Sequence, residues 1–306
     1  MDKRLTNSAM LFSVGFVFML VCAVAAFFYG VQIGTDKMEA KYEANLTSEA
    51  SKLVPDSPYQ QQDLVSFYHT VFTPFREFQN EWSITISKIG QGQMADAKSG
   101  FNALAKLADQ KAEAAKSYDL QASPLISDAQ ISYIRSLMLF KDAATAAADL
   151  SKTYGGGELL SKIGEDKNYK AAVQETLSAQ NAYYSAMQKW AASIDPDIPD
   201  ENAAGLAPKL AEWSKLPLTV KNSLLTQYLA KRGEMNIFYP QDLTARIDDF
   251  IVAGKAAQMK LTTVFEVSDL LIDTDAVRNG DFNMNKDRFY KSELLPQLPF
   301  FFPEMN

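Results

Sequence analysis

The stretch LVSFYHTVFTPFREFQNEWSITISKI, residues 64–89, decides the fold. Leu64, Phe67, Val71, Phe75, Phe78, Trp82, Ile86 and Ile89 recur in steps of three or four. Ser66, His69, Thr73, Arg76, Asn80, Ser83 and Ser87 keep the same steps on the opposite side, and Gln62 precedes them. An apolar stripe with that period is one face of an amphipathic helix buried against a partner. The spacing predicts a helix over 59–90. Pro74 lies inside it; proline lacks the amide proton and crowds the preceding turn, so a kink is expected there.

The same period continues downstream. Residues 93–117 present Ala95, Phe101, Leu104, Leu107 and Ala108 on one side. Residues 125–153 present Ile131, Ile134, Leu137, Met138, Ala144, Ala148 and Leu150. Residues 166–193 present Val173, Leu177, Tyr184, Met187 and Ala191, with Ile194 just beyond. Gly90-Gln91-Gly92, Ser123-Pro124 and Gly155-Gly156-Gly157 punctuate these segments, and a short helix over 158–163 is expected before the last. Long helices joined by short polar links predict an antiparallel bundle over 59–194. No alternating strand pattern of useful length interrupts them. The triple glycine lacks the preceding strand and the Gly-Lys-Ser/Thr ending of a phosphate loop, and reads as a helix end.

Residues 193–200, Ser-Ile-Asp-Pro-Asp-Ile-Pro-Asp, mark a boundary. Beyond it the helical pattern comes in shorter pieces, about 201–214, 217–232, 240–256 and 258–278. A second, smaller helical subdomain over 195–306 is the expectation. Asp281, Asn283 and Asn285 alternate as in a calcium loop. Lys286 stands where that loop needs glycine, and Ser292 where it needs glutamate. The tail holds Phe300, Phe301 and Phe302 between Pro299 and Pro303. Such a run either folds back into a groove of its own domain or serves as a docking strip for a partner.

Upstream, Ala9 to Ile33 contains 25 consecutive residues without a formal charge. As a helix this is about 37 Å, against a hydrocarbon core of about 30 Å. A transmembrane anchor over 9–34 is therefore expected, contacting the lipid bilayer. Residues 1–8 would stay cytoplasmic, because Lys3 and Arg4 flank that end. A helical stalk over 35–58 would follow, with the remainder extracytoplasmic on a bacterial cell membrane. A cleaved signal peptide would not need the continuation through Ala26-Phe27-Phe28-Tyr29. Lipidation at Cys22 would want a small residue where Val21 stands. Cys22, Ala26, Gly30 and Gly34 recur every four residues, a small-residue strip of the kind that lets membrane helices approach in a homodimer or against a membrane-protein partner.

Composition narrows the chemistry. Cys22 is the single cysteine and His69 the single histidine, so disulfides within the chain and multi-histidine metal sites are excluded. His69 falls on the polar face, where it reads as a surface residue. The N-terminal charges contribute +1 of the total −7, leaving −8 for the rest, which argues against nucleic acid as a partner. No catalytic or cofactor motif is present. The expectation is a non-catalytic interaction, scaffold or sensory module of the bacterial cell surface. A ligand-binding bundle lined by Trp82, Tyr183, Tyr184 and Trp190 is the first alternative. A carboxylate-based cell-surface hydrolase is the second.

Overall fold

The helical period of the sequence is realised throughout the computed structural model, which describes residues 57–117, 123–202 and 207–303. Among these residues every regular element is a helix, and the β pairing is limited to an isolated bridge between Lys209 and Thr263. The first helix has three parts: α1 (Gln61–Phe67), a π-helical turn (Tyr68–Phe72) and α2 (Thr73–Gly90). The π turn lies immediately before the Pro74 at which a kink is expected. Pro74 has no N–H to return to the preceding turn, and the Thr73 amide reaches five residues back to the Tyr68 carbonyl. The Thr70 hydroxyl donates to the Ser66 carbonyl at 2.8 Å.

Then come α3 (Ala97–Ala115), α4 (Pro124–Leu150), α5 (Gly156–Glu165) and α6 (Lys167–Ile194). Cross-helix partners run in opposite senses along each pair. Between α2 and α3, Glu77 pairs with Lys111 and Trp82 meets Phe101. Between α4 and α6, Ser136 bonds the Ala172 carbonyl, while Phe140 meets the ring of the earlier residue Tyr169. The long helices thus form an antiparallel bundle. Its core is aromatic on one side, with Phe75, Phe78, Trp82 and Phe140 in ring contact. The facing surfaces of α3 and α4 are rich in buried alanine, including Ala108, Ala112, Ala144 and Ala148, so little side-chain bulk separates those helices.

One expected face is rotated. Ile131 and Met138 point outward, 45% and 50% exposed, while Tyr133, Ser136 and Phe140 take the buried stripe of α4. Burying two aromatic rings outweighs burying one isoleucine and one methionine, because the gain scales with apolar area. Ala95 is likewise exposed, lying before α3 begins.

The C-terminal third comprises α7 (Leu210–Trp213), α8 (Leu218–Arg232), α9 (Pro240–Val252), α10 (Lys255–Gln258), α11 (Val264–Asp273) and α12 (Asp281–Phe289). Helix α8 lies between α6 and α9 and is buried continuously from Leu218 to Thr226. Its polar residues answer both neighbours. Thr226 bonds Asn181 and Ser223 bonds Ser185 on α6, and Asn222 accepts from Thr244 on α9. Residues Asp56–Asn306 form one compact unit. The single helix expected over 240–256 is instead broken at Gly254, whose φ of 71° takes the left-handed conformation that favours glycine. Residues 281–287 form the start of α12 rather than a loop, which spreads their oxygens around a helix.

The expected single-pass membrane placement is corrected. Among the described residues no helix is long and apolar enough to cross a membrane. The segment 9–34 on which the expectation rested, with Cys22, Ala26, Gly30 and Gly34, lies outside the described residues. So do residues 1–8 and all but the last two residues of 35–58.

The tail folds back. Phe301 is fully buried and Phe300 is 8% exposed, whereas Phe302 is 38% exposed. Phe300 sits among Tyr68, Phe72, Tyr184 and Tyr239 at ring distances of 5.5–6.3 Å. The Lys286 ammonium fastens the segment by donating to the Phe301 carbonyl at 2.6 Å, and lies 3.7 Å over the Phe302 ring. Phe301→Ala is expected to lower the unfolding free energy by about 3–5 kcal/mol in a urea titration. Phe302→Ala, which loses mainly a cation–π contact, should cost about 1 kcal/mol or less. Equal losses would mean that the tail is not seated in this way.

Candidate functional site

The start of α8 is where charge goes underground. Lys221 follows Leu218-Thr219-Val220 in the continuously buried part of that helix, and its side chain is only 7% exposed. It meets Asp248 of α9, with Nζ 2.8 Å from Oδ2. Both side chains are less than a tenth exposed. Removing two charges from water costs several kcal/mol per ion unless further hydrogen bonds compensate. Asp248 receives them. The Trp213 indole Nε1 donates to Oδ1 at 2.6 Å, and the Tyr290 hydroxyl donates to Oδ2 at 2.5 Å. The Lys221 ammonium also lies 5.3 Å from the Trp213 ring centre.

Four separate elements assemble this cluster: α7, α8, α9 and the residue following α12. It lies against a cleft of about 390 Å³. Lys221, Asp248 and Tyr290 line the cleft with Glu293, Lys215 and apolar walls from Leu216, Pro217, Ile251, Val252 and Phe289. Glu293 accepts the Leu218 amide at 3.0 Å and so caps the first turn of α8. Burial pushes the Glu293 carboxyl above its ordinary value, opposed by that amide and by the Lys221 charge. Burial also pushes the Tyr290 hydroxyl far up, reinforced by the Asp248 charge beside it, so it stays a neutral donor.

A second cleft of about 630 Å³ lies at the α2–α3 turn, bordered by Thr85, Ile89 and Met94. Its charged lining residues, Lys88 and Asp96, are exposed, so it holds no preorganised polar group.

The residues singled out from sequence lie elsewhere. Trp82, Tyr183, Tyr184 and Trp190 are buried core side chains, and none borders the 390 Å³ cleft. The Tyr183 hydroxyl donates to the Leu64 carbonyl at 3.0 Å and that of Tyr184 to Gln241 at 2.6 Å, so both are spent on the fold. His69 is exposed, edge-on to Tyr68. Phe300 and Phe301 are core, and Phe302 lies beside Lys286. Among the described residues no group of three His, Cys, Asp or Glu side chains could hold a metal ion. Sequence reading missed Trp213, Lys221, Asp248, Tyr290 and Glu293. The available signal was a lysine set among Leu218, Val220, Leu224 and Leu225, a charge with an apolar frame around it.

Two measurements test the cluster. Tyr290→Phe removes one donor from a buried carboxylate and is expected to cost about 1–3 kcal/mol of stability. A loss indistinguishable from zero in chemical denaturation would show that Asp248 does not depend on it. Glu293 supplies a pH test. Its folded-state proton affinity exceeds the unfolded one, so its contribution to stability is present at low pH and is lost as pH rises above the ordinary value of 4.5. Glu293→Gln keeps an acceptor for Leu218 and should flatten the stability profile over that window; an unchanged slope would contradict the assignment.

Comparison of the chain with protein-family models, with characterised proteins and with solved structures gives no match.

Proposed function

We propose that residues 56–306 act as a non-catalytic binding module whose ligand site is the cleft at the start of α8. One observation carries this reading: an apolar-walled cleft of about 390 Å³ has a fixed polar cluster along one side. Ligand sites commonly combine such walls with a few converging polar groups, in volumes of about 300–1,000 Å³. Here the polar groups are held before any ligand arrives, since Asp248 locks Trp213, Lys221 and Tyr290 together.

Binding is favoured over hydrolysis by the state of the carboxylates. A two-carboxylate mechanism needs one group free to act as base or nucleophile. Both oxygens of Asp248 are engaged by donors, so of the two cleft carboxyls only Glu293, which accepts the Leu218 amide on one oxygen, keeps an open one. The interior of the bundle is filled by aromatic and alanine side chains, which favours the cleft over the helix interior as the place for a ligand.

The test is a two-dimensional NMR screen of the full chain with small acids, amines and neutral compounds. The chain has three tryptophans, and the indole N–H of Trp213 is bonded to Asp248. At least one chemical class is expected to move the Trp213 indole signal while leaving those of Trp82 and Trp190 in place. If no compound of any class moves it at millimolar concentration, the proposal fails.

A further inference from the structure

Arg278-Asn279-Gly280-Asp281 turns the chain into α12, and the Asp281 amide closes the turn by donating to the Arg278 carbonyl at 3.1 Å. Asn279-Gly280 is the single Asn-Gly pair in the sequence. Such a pair carries its own chemistry. An asparagine side-chain carbonyl carbon is an electrophile within reach of the next backbone nitrogen, and glycine has no Cβ to keep the two apart. Here Asn279 is exposed, and a Cβ built on Gly280 would meet nothing within 4 Å, so the space beside the turn is open. The nitrogen, by contrast, is held. Gly280 N donates to Asp242 Oδ1 at 3.1 Å, and Phe282 N donates to the same oxygen at 3.0 Å. Asp242 is 2% exposed. While that bond is made, the Gly280 nitrogen keeps its proton and faces the carboxylate rather than Asn279.

We infer that Asn279 is a site of slow, one-way self-modification, controlled by the Gly280–Asp242 hydrogen bond, whose product loosens α12. When the bond opens, the Gly280 nitrogen attacks the Asn279 side-chain carbonyl carbon. The bond from that carbon to the side-chain nitrogen breaks, and ammonia leaves with the proton lost by Gly280. Water then adds across one of the two carbon–nitrogen bonds of the cyclic imide, giving aspartate or isoaspartate at position 279. The net change is one water consumed and one ammonia released, with no oxidant or cofactor. Isoaspartate routes the backbone through Cβ and Cγ and so inserts a methylene ahead of Gly280. The added atom moves Gly280 relative to Arg278. The turn then cannot keep its closure, the Arg278 amide bond to Asp281 Oδ2 at 2.8 Å and both bonds to Asp242 together. What α12 positions follows it: Lys286, which holds the Phe301 carbonyl, Phe289 in the cleft wall, and Tyr290 on Asp248.

The full chain is incubated in mildly alkaline buffer made with oxygen-18 water, beside a peptide of residues 276–284 in which Gly280 has no partner. Mass spectrometry reads label and ammonia loss at residue 279, and electron-transfer fragmentation separates isoaspartate from aspartate. The reaction and Gly280 amide hydrogen exchange need the same local opening, so both are expected to be slower in the full chain than in the peptide by factors that agree within about threefold. Asp242→Asn replaces a charged acceptor by a neutral one and is expected to speed the reaction about tenfold. Because that change also weakens the start of α9, the exchange comparison is made on the unchanged chain. In NMR spectra of the purified isoaspartate form the Phe282 and Tyr290 amides are expected to shift, while Asn279→Asp, which adds the charge without the methylene, leaves them in place.

A full chain that reacts as fast as the peptide, or an Asp242→Asn chain that reacts no faster than the unchanged one, overturns the control by Asp242. Absence of labelled product at residue 279 after the time set by the exchange factor overturns the site. Unshifted Phe282 and Tyr290 amides in the isoaspartate form overturn the effect on α12.

Discussion

A carboxylate taken out of water must be surrounded by donors, and the way Asp248 meets that demand organises the C-terminal third. Its partners Lys221, Trp213 and Tyr290 lie 27, 35 and 42 residues away along the chain. No local turn can supply them. The three elements carrying them must converge before the charge is satisfied, so one buried group ties α7, α8 and the end of α12 to α9. Asp242, earlier on the same helix, works in the same way on the other side. Its Oδ1 accepts from Gly280 and Phe282 at the start of α12, and its Oδ2 accepts from Tyr239 at the start of α9. Burial raises its carboxyl, against the pull of those amides. Helix α9 thus holds both ends of α12 through two aspartates.

The bundle is joined to this region by packing and by backbone bonds. Arg76 of α2 donates to the Ile237 carbonyl at 2.5 Å and lies 4.3 Å from the centre of the Tyr239 ring, while Gln79 donates to the Asn236 carbonyl at 3.0 Å. These contacts fix the segment between α8 and α9. Phe300 then fills the space left among Tyr68, Phe72, Tyr184 and Tyr239. The π-helical turn contributes, since it carries both Tyr68 and Phe72. A distortion required locally by Pro74 is therefore used globally, as part of the seat for the tail.

The helices were legible because burial on one face leaves a period of three or four in the sequence. Seven of the eight apolar positions read from residues 64–89 are fully buried; Ile86 is half-buried. The period failed on α4, where small and apolar residues occur nearly all round and only three-dimensional packing chooses Tyr133 and Phe140 over Ile131 and Met138. It was silent on α8 for a different reason. A helix covered on both sides has no polar stripe, and its buried Asn222, Ser223 and Thr226 resemble surface residues until their partners are known. The candidate site shared that fate, because its members are adjacent in space and scattered in sequence.

The Lys221–Asp248 pair is also the least economical part of the fold. A buried ion pair can often be replaced by apolar side chains of similar volume with no loss of stability, or with a gain of about 1–4 kcal/mol. Leucine and phenylalanine fill comparable positions nearby, at Leu225 and Phe250. A sequence tuned for stability alone would place such residues here too. Instead it keeps an ammonium and a carboxylate at the wall of a cleft, and the carboxylate draws a tyrosine hydroxyl and a tryptophan indole from two further elements.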